Sequence, residues 1–233
     1  SIACLFLLGA AASPGCSHFD LKGHADANNG PVYVEVQANT SHSCQTFRLY
    51  LVTYATHLSR SDFCIAAISA ASYDYPVNVL GTNRLSEFKL NGPLDKLWAL
   101  QEFVETLPKI PNIIIAFVDA YDTIVNGPPS ELVRKLLASG HRVLFASEKG
   151  CCSHKWHMRV RRPDCDELWP RPPLLTPTPY LNSGGFVGFR KELAKLLKWS
   201  AKEYEHEVAQ LTPNLVDSYK SGGGQQLISQ LFS

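Results

Sequence analysis

The stretch Ile113-Ile114-Ile115-Ala116-Phe117-Val118, running straight into Asp119-Ala120-Tyr121-Asp122, constrains this chain more than any other part of it. A strand with one wet face alternates apolar and polar residues, so an unbroken apolar run fits a strand covered on both faces. A sheet buried on both sides needs helices above and below it, and the run therefore points to an α/β fold. Open α/β sheets gather ligands outside the carboxyl ends of their strands, which is where Asp119 and Asp122 fall.

The remaining elements follow the same logic. Leu49 to Tyr54 reads as another two-sided strand, residues 60 to 71 as a helix, and Val77 to Leu80 as a strand ended by Gly81. Pro93 opens a helix in which Leu94, Leu97, Trp98, Val104 and Leu107 recur at helical spacing. Gly127-Pro128-Pro129-Ser130 reads as a turn and N-cap ahead of an amphipathic helix from Glu131 to Ala138, with Leu132, Val133, Leu136 and Leu137 inward. Arg142 to Ser147 is a further strand, Ser183 to Phe189 a glycine-marked strand, and Lys191 to Gln210 a long helix. Alternation of strand and helix predicts a mostly parallel central sheet flanked by helices. Residues 148 to 179, rich in proline and basic side chains, form a long surface excursion of the kind used for binding.

A chain of 233 residues with 45% hydrophobic and 18% charged residues can bury one large globular core. A net charge of +1 gives no field to hold nucleic acid. The local basic residues Lys155, Arg159, Arg161 and Arg162 suit either an acceptor groove or a solvated loop. Residues 1–12 form an apolar run with small residues, read as the remnant of a secretory signal peptide and too short to span a bilayer; a buried N-terminal element is the alternative. The run lacks an initiating Met and a basic n-region, so the expectation is an incomplete copy of a secretory-pathway protein, located in the endoplasmic reticulum or Golgi lumen or secreted. Residues 13–46 read as a linker or N-terminal extension with one short strand near Val32 to Val36, and residues 47–233 as the folded domain. Seven cysteines suit an oxidising compartment, and their odd number leaves one unpaired. Cys151, Cys152 and Cys165 fit a disulfide-closed loop, with a zinc site using His154 and His157 as the alternative. Asn39-Thr40-Ser41 is an N-glycosylation acceptor, consistent with secretion.

Two carboxylates three positions apart on a turn, Asp119 and Asp122, can face one cation. Mn²⁺ and Mg²⁺ take oxygen ligands and are often held by one or two carboxylates together with substrate phosphates. The same pair also serves as turn formers. In the glycine-marked strand, Gly184 and Gly185 remove side chains where a substrate approaches backbone closely, while Asn182 and Ser183 offer polar groups to sugar hydroxyls; a β-bulge without function is the other reading.

Several blocks then agree in order and spacing with one family. Phe117-Val118-Asp119-Ala120-Tyr121-Asp122 with Gly127 to Leu132, Leu144-Phe145-Ala146-Ser147-Glu148 before a Cys, and Leu181-Asn182-Ser183-Gly184-Gly185-Phe186-Val187-Gly188-Phe189 resemble the glycosyltransferase domain of the procollagen lysyl hydroxylase and collagen glycosyltransferase family. The resemblance runs from about Leu49 to Phe232. It implies a GT-A-type fold and a metal-dependent hexosyltransferase using UDP-glucose or UDP-galactose. Carried over by position, it implies Mn²⁺ on Asp119 and Asp122, Tyr121 against the uridine, and Thr56 and Trp98 at the donor. Lys96 is the nearest candidate for the family's donor-side lysine, displaced by about two residues. Ser183, Gly184 and Gly185 fall in the matching glycine strand, and Asn182, Gln225 and Gln226 among the catalytic candidates. Trp98 also sits on an apolar helical face and Tyr121 could pack beneath its turn, so each has a core reading as well.

Hydroxylysine or galactosyl-hydroxylysine of collagen-like polypeptides is the implied acceptor. Two positions depart from the family. Gln225 stands where an acidic residue is expected, and a neutral amide cannot act as general base. The family's third metal ligand, a His, falls beyond Ser233. A catalytically silent nucleotide-sugar- or glycan-binding module of the same fold is therefore the opposing expectation, and a procollagen galactosyltransferase-like enzyme a third.

Overall fold

A computed structural model describes residues 30–37, 44–58, 60–82, 95–148 and 180–210. The leader-like run 1–12, the cysteine cluster with Lys155 to Arg162, and Gln225 and Gln226 lie outside these residues.

Ten elements follow one another: β1 (Val32–Gln37), β2 (Cys44–Tyr54), α1 (Ser61–Ala71), β3 (Val77–Leu80), α2 (Asp95–Thr106), β4 (Ile113–Asp119), α3 (Pro129–Ala138), β5 (Val143–Glu148), β6 (Tyr180–Phe189) and α4 (Arg190–Gln210). The strands form one sheet in the order β1-β2-β4-β6-β5, with β3 also paired to β2. β4 lies at its centre, and Ile113, Ile114, Ile115, Ala116 and Phe117 are all buried there. Its alternate side chains enter two different cores. Ile113, Ile115 and Phe117 pack with Tyr50 and Val52 of β2 under α2 and α4, through Leu97, Leu100, Val104, Leu193 and Leu197. Ile114 and Ala116 pack with Leu49 and Leu51 against Val133 and Leu136 of α3 and Ala70 of α1. The apolar run is unbroken because neither face of β4 meets water.

The pairing departs from the mostly parallel sheet expected from the order of elements. β2 is parallel to β3 and to β4. β1 runs antiparallel to β2, and β6 antiparallel to both β4 and β5. The sheet is mixed because the glycine strand inserts antiparallel between β4 and β5. Upstream, the short strand expected near Val32 to Val36 within the linker is present as β1, and residues 32–37 pair with residues 44–49 of β2. Val34 is buried there and Tyr33 exposed, an alternation that a one-sided edge strand requires.

Helix boundaries follow local chemistry. α3 starts at Pro129, one residue before the expected Ser130 cap, with Pro128 at the N-cap position and no side-chain cap. Proline is suited to the first helical turn because its missing N–H has no partner there anyway. At the junction of β6 and α4, the buried Arg190 donates through Nε to the Val104 carbonyl at 3.1 Å, fixing the start of α4 to the end of α2.

Candidate functional site

The site lies where the carboxyl ends of β2, β3 and β4 meet the entry to β6. Parallel pairing places Tyr54 of β2 opposite Asp119 of β4 and opposite Leu80 of β3, so the loops that leave these strands emerge side by side. Cross-links hold them there. Thr53 donates through Oγ1 to the Val118 carbonyl at 2.8 Å. The Ala55 N–H donates to the Leu80 carbonyl at 2.8 Å. The His57 N–H donates to the Tyr121 hydroxyl at 3.0 Å, tying the loop after β2 to the acidic turn. Thr56, half-buried between Ala55 and His57, is therefore held on a clamped loop.

Tyr121 packs on its inner side against the small cluster of Ala55, Phe63, Ala67 and Ala120. The Arg60 guanidinium lies 4.2 Å from the ring centroid. Arg60 is itself oriented by an ion pair with Asp62. Hydrogen bonding from that guanidinium holds the Asp62 carboxyl below its usual range. Sequence reasoning did not single out Arg60 or His57, since both reach the site through contacts more than 60 residues away along the chain.

Asp119 is the centre of the arrangement. Its Oδ1 accepts from Lys96 Nζ at 3.0 Å, with the lysine side chain 15% exposed and the aspartate 35%. Lys96 sits in the first turn of α2 and also lies 5.9 Å from the Phe117 ring centroid. On the other side, Asp119 faces Gly184. A Cβ added at Gly184 would overlap Asp119 Oδ2 and would stand 2.8 Å from Asn182 Oδ1 and 3.1 Å from Asp119 Cγ. Asn182 Oδ1 in turn accepts from the Gly184 N–H at 2.6 Å, and Asn182 Nδ2 stands 3.5 Å from Glu148 Oε2. Asp122, on the same turn as Asp119, is exposed.

The glycine strand is irregular at the same spot. Phe145 and Ala146 are adjacent in β5, yet their partners in β6 are Phe186 and Asn182, so Ser183, Gly184 and Gly185 are an insertion into the ladder. The strand bulges here, and it brings bare backbone up to the Asp119 carboxylate. Thus Lys96, Asp119, Asn182 and Gly184 form one connected set. Trp98 is half-buried and packs against the α2/α4 core, in keeping with its apolar helical position. Ser183 is buried. A cavity of about 500 Å³ opens among residues 123–135 and strands β4 to β6; Gly185 borders it, but Lys96, Asp119 and Asp122 do not.

The donor chemistry of the turn fits a hard divalent cation. Asp119 and Asp122 supply carboxylate oxygens, and the missing side chain at Gly184 lets Asp119 Oδ2 lie against bare backbone. Among the described residues no three His, Cys, Asp or Glu side chains converge.

An α/β domain with a carboxylate turn at the carboxyl edge of its sheet, faced by a glycine bulge, is the class that fold and site define. The chain belongs to the PLOD GT domain family, whose model matches residues 45–219. It is 32% identical over 143 residues to the human multifunctional procollagen lysine hydroxylase and glycosyltransferase LH3, a match covering 58% of this chain and 18% of that protein. It is 25% identical over 187 residues to the mouse procollagen-lysine,2-oxoglutarate 5-dioxygenase 2, covering 74% of this chain and 23% of the relative. A Caenorhabditis elegans multifunctional procollagen lysine hydroxylase and glycosyltransferase is 30% identical over 142 residues, 58% of this chain and 18% of its own length. The matched region thus spans about a fifth of these relatives. Among the described residues no helix is long and apolar enough to cross a membrane.

Proposed function

We propose that this domain transfers a hexose, glucose or galactose, from a UDP-sugar to a hydroxyl acceptor, with Mn²⁺ held by Asp119 and Asp122. The observation that carries the reading is the contact set at Asp119: a carboxylate at the end of β4, a cation partner in Lys96, and the side-chain-free backbone of Gly184 against it. When bound, the cation would supply Lewis-acid neutralisation of the departing diphosphate. The rest falls to the chain's own groups. Tyr121, backed by the Ala55–Phe63 cluster and covered on one face by Arg60, would meet uracil once Arg60 swings aside, and the clamped loop at Thr56 borders the nucleoside. The bulge at Ser183-Gly184-Gly185 lets a sugar lie against backbone, with Asn182 positioned by the Gly184 N–H.

The names of the relatives, procollagen lysine hydroxylase and glycosyltransferase, support collagen-like chains as the acceptor, with hydroxylysine or galactosyl-hydroxylysine as the proposed site. Those activities belong to proteins about five times as long as the matched stretch, so the acceptor is proposed by likeness alone.

Calorimetric titration of UDP into the full chain, with and without Mn²⁺, tests the reading. Binding that appears only with the metal supports a donor site, whereas no binding in either condition removes it. A second reading, a silent module that keeps the fold without turnover, is favoured by Gln225 in place of a carboxylate. Mn²⁺-dependent UDP binding without donor hydrolysis would select it.

A further inference from the structure

We infer that Lys96 is a built-in counter-cation for Asp119 that sets how tightly the acidic turn takes a divalent metal; this rests on the metal reading above. The Lys96 ammonium occupies Asp119 Oδ1 at 3.0 Å, while Oδ2 lies against the bare backbone of Gly184. One oxygen of the carboxylate is therefore already committed to a positive charge that any arriving cation must meet.

Three features make this arrangement more than a surface ion pair. Lys96 is 15% exposed, so its ammonium is largely withdrawn from water and screening is weak. Its stem starts in the first turn of α2, a helix fixed by Leu97 and Leu100 in the core, which limits how far the side chain can retreat. Phe117, which offers its ring at 5.9 Å, is fully buried and stacked on Phe186 at 5.1 Å, so this wall is rigid. A divalent ion arriving at Asp119 must either share the carboxylate with a nearby positive charge or displace it, and both cost affinity. The ammonium in exchange keeps Asp119 in place when no metal is bound. Metal affinity is then lowest for the bare site and rises once an anionic diphosphate is present to balance both cations. Lys96 is thus a positioning residue that couples metal uptake to donor arrival.

The test is Mn²⁺ binding to the full chain in the absence of nucleotide, read by the electron paramagnetic resonance signal of free Mn²⁺. Lys96→Met keeps the stem and removes the charge, and is expected to tighten Mn²⁺ binding by about threefold or more, as loss of a half-buried competing ion pair would. Lys96→Arg keeps the charge and should bind Mn²⁺ as the unaltered protein does. Unchanged or weaker binding in Lys96→Met, with its circular dichroism spectrum intact, overturns the inference while leaving the metal site standing. If neither the unaltered chain nor Lys96→Met binds Mn²⁺, the metal reading itself falls and the inference with it. Should Lys96→Met fail to fold, Lys96→Gln is read against the same expectation.

Discussion

Gly184 lies directly against the carboxylate of Asp119, so closely that a Cβ there would stand 3.1 Å from Asp119 Cγ. The two residues are 65 positions apart and meet because β6 runs antiparallel beside β4, with Val118 opposite Gly185. Glycine is required at this position by space: the group it would displace is the one proposed to hold the metal.

Gly184→Ala should therefore damage the site more than the fold. Mn²⁺-dependent UDP affinity is expected to fall at least about tenfold, while stability drops by about 1–3 kcal/mol as expected for overpacking. Paired calorimetry and thermal melts separate the two. Retained affinity would mean that Asp119 can move aside without cost.

Asp122→Ala removes an exposed carboxylate from a turn, so stability should change by no more than about 0.5 kcal/mol. Mn²⁺-dependent UDP binding should be abolished. A variant that still binds UDP as before would remove Asp122 from the metal site.

Phe117→Ala opens a cavity between Phe186 and the α2 face of the sheet, where Phe117 is 1% exposed. A loss of about 3–5 kcal/mol is expected in denaturant unfolding, as for other buried Phe truncations. A much smaller loss would show that β6 and α2 close over the gap.

The Arg60 and Asp62 pair makes a prediction about pH. Its guanidinium hydrogen bond lowers the Asp62 pKa in the folded state. Whatever the pair contributes is thus present above the ordinary carboxylate range and is lost as pH falls through the depressed folded value. Arg60→Ala should return the Asp62 titration, followed by carboxyl NMR, towards the usual value of about 3.9. It should also free one face of Tyr121, which Arg60 now covers at 4.2 Å. An unmoved Asp62 titration would show that the pair does not persist in solution.

Gln225→Asp restores a carboxylate where the related domains are expected to have one. Donor hydrolysis or transfer should rise if that amide limits turnover. No gain would place the limiting defect elsewhere in the chain.

What the sequence determined by itself was local and periodic. The unbroken run at Ile113–Val118 required a strand with two buried faces, and β4 carries two cores on its alternate side chains. The acidic turn and the glycine strand were legible as candidates for metal and substrate chemistry, with turn formation and a β-bulge as the competing readings. Strand direction was not legible. Helix and strand alternation predicts parallel pairing, but direction is set by which edge a strand finds, and β6 found the antiparallel gap between β4 and β5. The short strand near Val32 to Val36 was legible, but its place in the sheet was not, because its pairing to β2 is a contact made in space. The same holds for the site. Lys96 is singled out by resemblance, Asp119 by carboxylate spacing, and Asn182 and Gly184 by the glycine strand, and only the tertiary structure joins them around one carboxylate. Hydrogen bonds and ion pairs act over about 3 Å, whereas sequence periodicity reports only which face of an element is buried.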